Sequence, residues 1–176
     1  MPDERRIPLV EAAVRGDLNS FGKLCEEFYA PMVAVAYAVL GDHHLAEDAA
    51  QEAFAKALAG LRGLQEPAKF GAWLARICRN VATDAARARI RNGRAAELWA
   101  PPPEPTDDGL PASVRRALGR LPASARELIV LRYYDNLSYD QISSVLGISR
   151  SAINGRLNRA KKKLARAMKR EGVLEL

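Results

Sequence analysis

Residues 149–170, SRSAINGRLNRAKKKLARAMKR, contain no aspartate or glutamate. At helical spacing of about 100° per residue, Ser151, Asn154, Gly155, Asn158 and Lys162 point away from an apolar stripe of Ile153, Leu157, Ala160 and Leu164. Arg150, Arg156, Arg159, Lys161 and Lys163 flank that outward face. A carboxamide matches the donor–acceptor edge of adenine and a guanidinium matches guanine, whereas an ammonium suits phosphate. The chemistry these residues offer is non-covalent recognition of nucleic acid. An ordinary solvated amphipathic helix is the bland alternative, and the unbroken positive sign weighs against it.

A helix-turn-helix must hold such a face in place. Ser138 followed by Gln141 is a capping-box start, and Ile142, Val145 and Leu146 then recur at helical spacing. Gly147 can adopt the left-handed conformation that closes a helix, and Ser149 caps the next one. Two short helices joined by a glycine turn, the second basic, have the form of a DNA-reading pair. Gly155 is unusual, because glycine in a helix interior costs about 1 kcal/mol. Either it lets a base approach the backbone or it is simply tolerated.

Two further faces carry polar chemistry. In a helix expected at residues 44–61, Ala50, Ala53, Phe54, Ala57 and Leu61 form the inner side, while Asp48, Gln51, Glu52 and Ala55 face outward. That acidic surface repels DNA and complements a basic protein, although Glu47 and Asp48 also suit the start of any helix. In a long helix at residues 68–89, Phe70, Trp73, Leu74, Ile77 and Val81 form the inner stripe. Arg76, Asn80, Thr83 and Arg87 line one flank beside the Gly63/Pro67 loop, with Arg79, Arg89, Arg91 and Arg94 adding charge. The strip can hold a nucleic-acid strand, or its arginines can merely complement a helix C-terminus.

The 176 residues allow one domain or two small ones, and the net charge of +6 favours a polyanionic partner. No apolar run approaches the roughly 20 residues that span a bilayer. Residues 1–17 hold no apolar core of signal-peptide type, so a cytoplasmic location without membrane insertion is expected. Cys25 and Cys78 have no metal-site spacing and are expected to be buried, reduced thiols. His43 and His44 are adjacent, so their side chains diverge and share no metal. There is no glycine-rich phosphate loop and no nucleophile with an evident base. No enzyme activity, metal or cofactor is therefore expected.

In chain order, a short helix over residues 10–15 ends at Gly16, and Asp17 or Asn19 caps a second. Pro31 is expected to kink or restart that second helix, and Asp42 to cap the third. Residues 92–111 include PPPEPTDDG, a proline-rich, acidic stretch without periodicity that reads as a semi-rigid linker. Helices are expected at residues 112–120 and 123–134, separated by Leu121-Pro122. The fold class is all-α, with two small helical domains, residues 7–91 and 112–171, joined by the linker.

LGDHHLAEDAAQEAFAKAL, FGAWLARICRNVATD and LGRLPASARELIVLRYYDNLSYDQISSVLGISRSAINGRLNRAKKKL, in that order, resemble the extracytoplasmic-function (ECF) sigma factors of bacterial RNA polymerase, in the sigma-70 family. The likeness covers nearly the whole chain outside the linker and the ends. It implies a non-catalytic initiation factor that binds core RNA polymerase and promoter DNA. Residues 7–91 resemble sigma region 2 and residues 112–171 resemble region 4. By that resemblance Asp48, Gln51, Glu52 and Ala55 pack on the β′ coiled coil. Arg62, Lys69, Arg76, Asn80, Thr83 and Arg87 hold a flipped −10 base. Region 4 packs on the β flap, and Arg150, Ser151, Asn154, Arg156, Asn158 and Arg159 read the −35 element. The resemblance also implies an anti-sigma partner. Two departures stand out: Asn154-Gly155 replaces the more usual Lys or Arg followed by Ser, and the melting helix has only Phe70 and Trp73 as aromatics. A stand-alone helix-turn-helix regulator is the alternative, but it leaves the acidic face unexplained.

Overall fold

The computed structural model describes residues 6–92 and 111–173. Among them are eight α-helices and no strand. Helices α1 (Ile7–Val14), α2 (Leu18–Leu40), α3 (His43–Gly60) and α4 (Phe70–Arg91) form the first unit. Helices α5 (Ala112–Gly119), α6 (Ala123–Ile129), α7 (Tyr139–Leu146) and α8 (Arg150–Arg170) form the second. Most of the expected linker, residues 93–110, lies outside the described residues, and so does Arg94.

Local signals set most helix boundaries. Asp17 caps α2 by accepting from Asn19 N at 3.0 Å, and Asp42 caps α3 by accepting from Leu45 N at 3.1 Å. Gly16 (φ 102°) and Gly41 (φ 68°) close the preceding helices in the left-handed region. Pro31 does not restart α2, which runs through it unbroken. Leu24 before Pro31 and Met32, Val33 and Val35 after it all enter one core. Burying several such side chains at about 1.5–3 kcal/mol each outweighs the roughly 3 kcal/mol that an interior proline costs.

The aromatic residues of α4 tie the first unit together. Phe70 meets Phe28 edge to face at 5.3 Å, and Trp73 lies 6.0 Å from Phe70. Gly71 makes this close approach possible, since a Cβ there would sit 3.0 Å from the Phe28 ring. Phe70 is buried, whereas Trp73 and Ile77 are only half-buried.

The helix expected over residues 123–134 has two parts. Its last five residues, Val130–Tyr134, form a π turn, and Asp135 N donates to Val130 O at 3.0 Å. Asn136 follows with φ 53°, a conformation asparagine tolerates better than most residues. The two units are packed together: α6, the π turn and α7 lie on α2 and α4, and one continuous core runs through both.

Candidate nucleic-acid and protein interface

The helix-turn-helix forms as its caps require. Ser138 accepts from Gln141 N at 3.2 Å, and Gln141 Oε1 accepts from Ser138 N at 2.8 Å, completing the capping box. Gly147 (φ 67°) closes α7, and Ser143 Oγ donates to Ile148 O at 2.6 Å to brace the turn. Ser149 then caps α8 by accepting from Ala152 N at 3.3 Å. Ile153, Leu157, Ala160 and Ala167 are buried, which fixes the rotation of α8.

That rotation puts Arg150, Ser151, Asn154, Arg156, Asn158, Arg159 and Lys162 all in solvent. Arg150 pairs with Asp140 at 3.1 Å, with both side chains about two-thirds exposed (67% and 68%). Such a surface pair contributes little, so phosphate can displace the carboxylate. Arg156, Arg159 and Lys163 line a shallow groove against Pro122 and Ser124. A Cβ on Gly155 would meet nothing closer than the Arg159 guanidinium at 3.8 Å, so no packing contact demands glycine there.

The α4 strip divides in two. Arg76, Asn80 and Arg87 are exposed, and Arg62 is exposed on the 3-10 turn Leu61–Gly63. Lys69 is exposed on the 3-10 turn Pro67–Lys69 and pairs with Glu66 at 2.6 Å. Arg87 pairs with Asp84 at 3.4 Å. Thr83 is half-buried, and its hydroxyl donates to Arg79 O at 2.7 Å, which leaves only its lone pairs for a ligand. Arg79 turns away from the strip and pairs with Glu127 of α6 at 3.2 Å.

On α3, Asp48, Gln51, Glu52 and Ala55 are all exposed, opposite buried Ala46, Ala49, Ala50, Ala53, Phe54 and Ala57. Glu52 bonds Lys56 at 2.7 Å within the same helix. Glu47 belongs elsewhere, since it turns toward His43 at 3.5 Å and accepts from the Tyr29 hydroxyl at 3.4 Å.

The contacts between the units were not foreseen from the sequence. Arg126, 6% exposed, donates from Nε to Ala38 O at 2.7 Å and from Nη1 to Leu121 O at 3.3 Å. Burial pulls its pKa down to about 10, so it remains charged at neutral pH. A charged residue sharing one helical face with Ile129 and Val130 was the available signal. Cys78 is buried and Cys25 half-buried; both are free thiols, and burial raises the pKa of each. Among the described residues no group of three His, Cys, Asp or Glu could hold a metal, and no helix is long and apolar enough to cross a membrane.

Comparison with known proteins follows the same division. The model of sigma-70 region 2 matches residues 24–92, and that of sigma-70 region 4 matches residues 112–164. A probable RNA polymerase sigma factor, RfaY of Xanthomonas campestris, is 34% identical over 161 residues, covering 85% of this chain and 40% of the relative. The chain thus spans less than half the length of that relative. The ECF RNA polymerase sigma factor EcfG of Rhodopseudomonas palustris is 31% identical over 137 residues, 75% of this chain and 76% of the relative. The sigma factor RpoE of Bartonella quintana, solved in complex with the anti-sigma factor NepR, superposes with a TM-score of 0.75 at 25% identity, covering 85% of this chain and 96% of that one.

Proposed function

The chain belongs to the ECF sigma factors of the sigma-70 family, and from that premise we propose how its surfaces divide the work of starting transcription. It binds core RNA polymerase and directs it to promoter DNA. The acidic face of α3, with Asp48, Gln51, Glu52 and Ala55, docks on the polymerase β′ coiled coil. Arg62, Lys69, Arg76, Asn80, Thr83 and Arg87 take a base flipped from the −10 element. Arg150, Ser151, Asn154, Arg156, Asn158, Arg159 and Lys162 read the −35 element from the major groove, with the second unit seated on the β flap. Residues 7–91 and 112–171 act as the two domains, and residues 92–111 as their tether. The protein works in the cytoplasm, has no catalytic group of its own, and is held by an anti-sigma factor until needed.

The observation that carries this reading is the segregation of charge by face. Asp48 and Glu52 are exposed on α3, whereas α4 exposes Arg76 and Arg87 and α8 exposes Arg150, Arg156, Arg159 and Lys162 with no acidic residue along its length, in a chain of net charge +6. Two weak DNA contacts on a shared polymerase platform reinforce each other, because the first raises the effective concentration of the second. Flipping a base costs a few kcal/mol, which the strip on α4 and polymerase must offset together.

Run-off transcription with core polymerase on a pool of promoter fragments is the test. Defined transcripts that require the protein are expected. Tight specific DNA binding by the free protein, without polymerase association or transcript, would mean a stand-alone regulator instead.

A further inference from the structure

The −10 and −35 elements lie some 25 base pairs apart, which is roughly 85 Å of duplex at 3.4 Å per base pair. A compact chain of 176 residues has a radius of gyration of only about 16 Å, so it is about 40 Å across. The packed arrangement of the two units therefore cannot serve both elements at once. Something must set when it opens, and Asp135 has the properties of that control.

Asp135 is fixed at the junction by backbone geometry. The π turn bonds its amide to Val130 O, and Leu137 N returns to Leu131 O at 2.9 Å. Both carboxylate oxygens are sealed from solvent and have no hydrogen-bond partner among the described residues. Elements of both units wall the spot. A cavity of about 850 Å³ beside it is lined by Phe28 and Met32 of α2, Phe70 and Ala75 of α4, and Leu137 and Gln141 of the second unit.

No free cation faces Asp135 from any of these elements. Arg6 and Glu27 at the cavity pair with each other at 2.6 Å. The Cys78 thiol of α4 donates to Met32 O at 3.2 Å, and its pKa is pushed up to about 12, first by burial and then by the charge of Asp135. Arg132, on the same turn as Asp135, donates to Leu137 O at 2.9 Å and stacks on Tyr139 at 5.6 Å. Tyr134 and Gln141 carry no charge at neutral pH.

We propose that Asp135 is a proton-operated latch: the closed packing of the two units holds its neutral carboxyl, and ionisation drives them apart to free the promoter-binding surfaces. This regulation rests on the sigma-factor reading above. Burial raises the Asp135 pKa well above the ordinary carboxylate value. Once the units separate, water returns the group to about 4. Closing therefore takes up a proton. The contribution of the latch to closure is fully present below about pH 4 and is lost as pH rises through the raised closed-state value. Between those two values the closed-to-open ratio falls tenfold per pH unit.

Small-angle X-ray scattering of the full chain from pH 4.5 to 8.5 measures the transition, and carboxyl ¹³C NMR follows Asp135 itself. The radius of gyration is expected to grow with pH in the wild type. Asp135→Asn, which cannot ionise and keeps both histidines, should stay compact at every pH. The Asp135 carboxyl should titrate well above 4 in the compact wild type, a measurement that needs no variant should Asp135→Asn fail to fold. The latch is overturned by an Asp135 signal titrating near 4 in the compact chain, by a wild-type radius that ignores pH, or by an Asp135→Asn chain that opens as the wild type does. Run-off transcription separates the two claims. Transcription with a pH-independent radius removes the latch alone, whereas a pH-dependent radius without transcription removes the sigma reading and leaves the latch as a conformational device.

Discussion

Arg126 donates to the carbonyl of Ala38 across 88 positions of sequence, at 2.7 Å. Ala38 lies in the last turn of α2, where carbonyls have no intrahelical partner. The guanidinium thus caps one unit from the other and places positive charge at the negative end of a helix dipole. Arg126→Met keeps the stem and strands both accepting carbonyls, at about 1–3 kcal/mol each. We expect about 2–4 kcal/mol less stability in urea denaturation, with Arg126→Lys recovering only part of it. A loss under 0.5 kcal/mol would show that water replaces the arginine.

The docking role proposed for the α3 face can be tested without touching the fold. Asp48 and Glu52 are exposed, and Glu52 has only the surface pair with Lys56 to lose, about 0.3–0.5 kcal/mol. Asp48→Lys with Glu52→Lys should leave the far-ultraviolet circular dichroism unchanged and weaken core polymerase binding at least tenfold in fluorescence titration. Unaltered affinity would remove these residues from the interface.

On α8, Asn154→Ala or Asn158→Ala should each remove about 1–3 kcal/mol of discrimination at one upstream base pair. A uniform loss over all sequences would make them backbone contacts. Gly155→Ala separates two roles. No side chain crowds the site, so the helix should gain roughly 1 kcal/mol. If promoter binding nonetheless falls, a base or phosphate approaches the backbone there.

Glu171, just past α8, accepts from Arg116 Nε at 2.7 Å and Arg120 Nε at 2.8 Å, clasping α5 to the end of α8. The Arg116 hydrogen bond, then that from Arg120, holds its pKa below the ordinary carboxylate value. The clasp therefore acts fully above about pH 4.5 and is lost as pH falls through the lowered value. Thermal unfolding followed from pH 7 to pH 3 should show a steeper decline for the wild type than for Glu171→Gln. Parallel curves would mean the clasp contributes nothing.

What the sequence made legible was local. Asp17, Asp42, Ser138 with Gln141, and Ser149 announce helix starts because each cap is completed within three residues. The outward positions of α3 and α8 could be read for the same reason, since periodicity alone sets a helix face. The union of the two units could not be read, because Arg126–Ala38 and Arg79–Glu127 join residues far apart in the chain. Arg79 lay beside the basic strip by spacing, yet Glu127 draws it away. The π turn was hidden too: residues 130–134 keep helical periodicity, and the wider coil shows only in the backbone, where Asp135 N bonds Val130 O five residues back.

Phe28 and Phe70 stand edge to face, with Trp73 packed beside Phe70. The two rings of α4 are thereby committed to packing within the first unit rather than offered as wedges between bases. The effort of prising strands apart then falls to torsion already wound into the template and to the larger machine. Start sites on negatively supercoiled DNA, with an easily melted A+T-rich step, are the ones such a factor serves best.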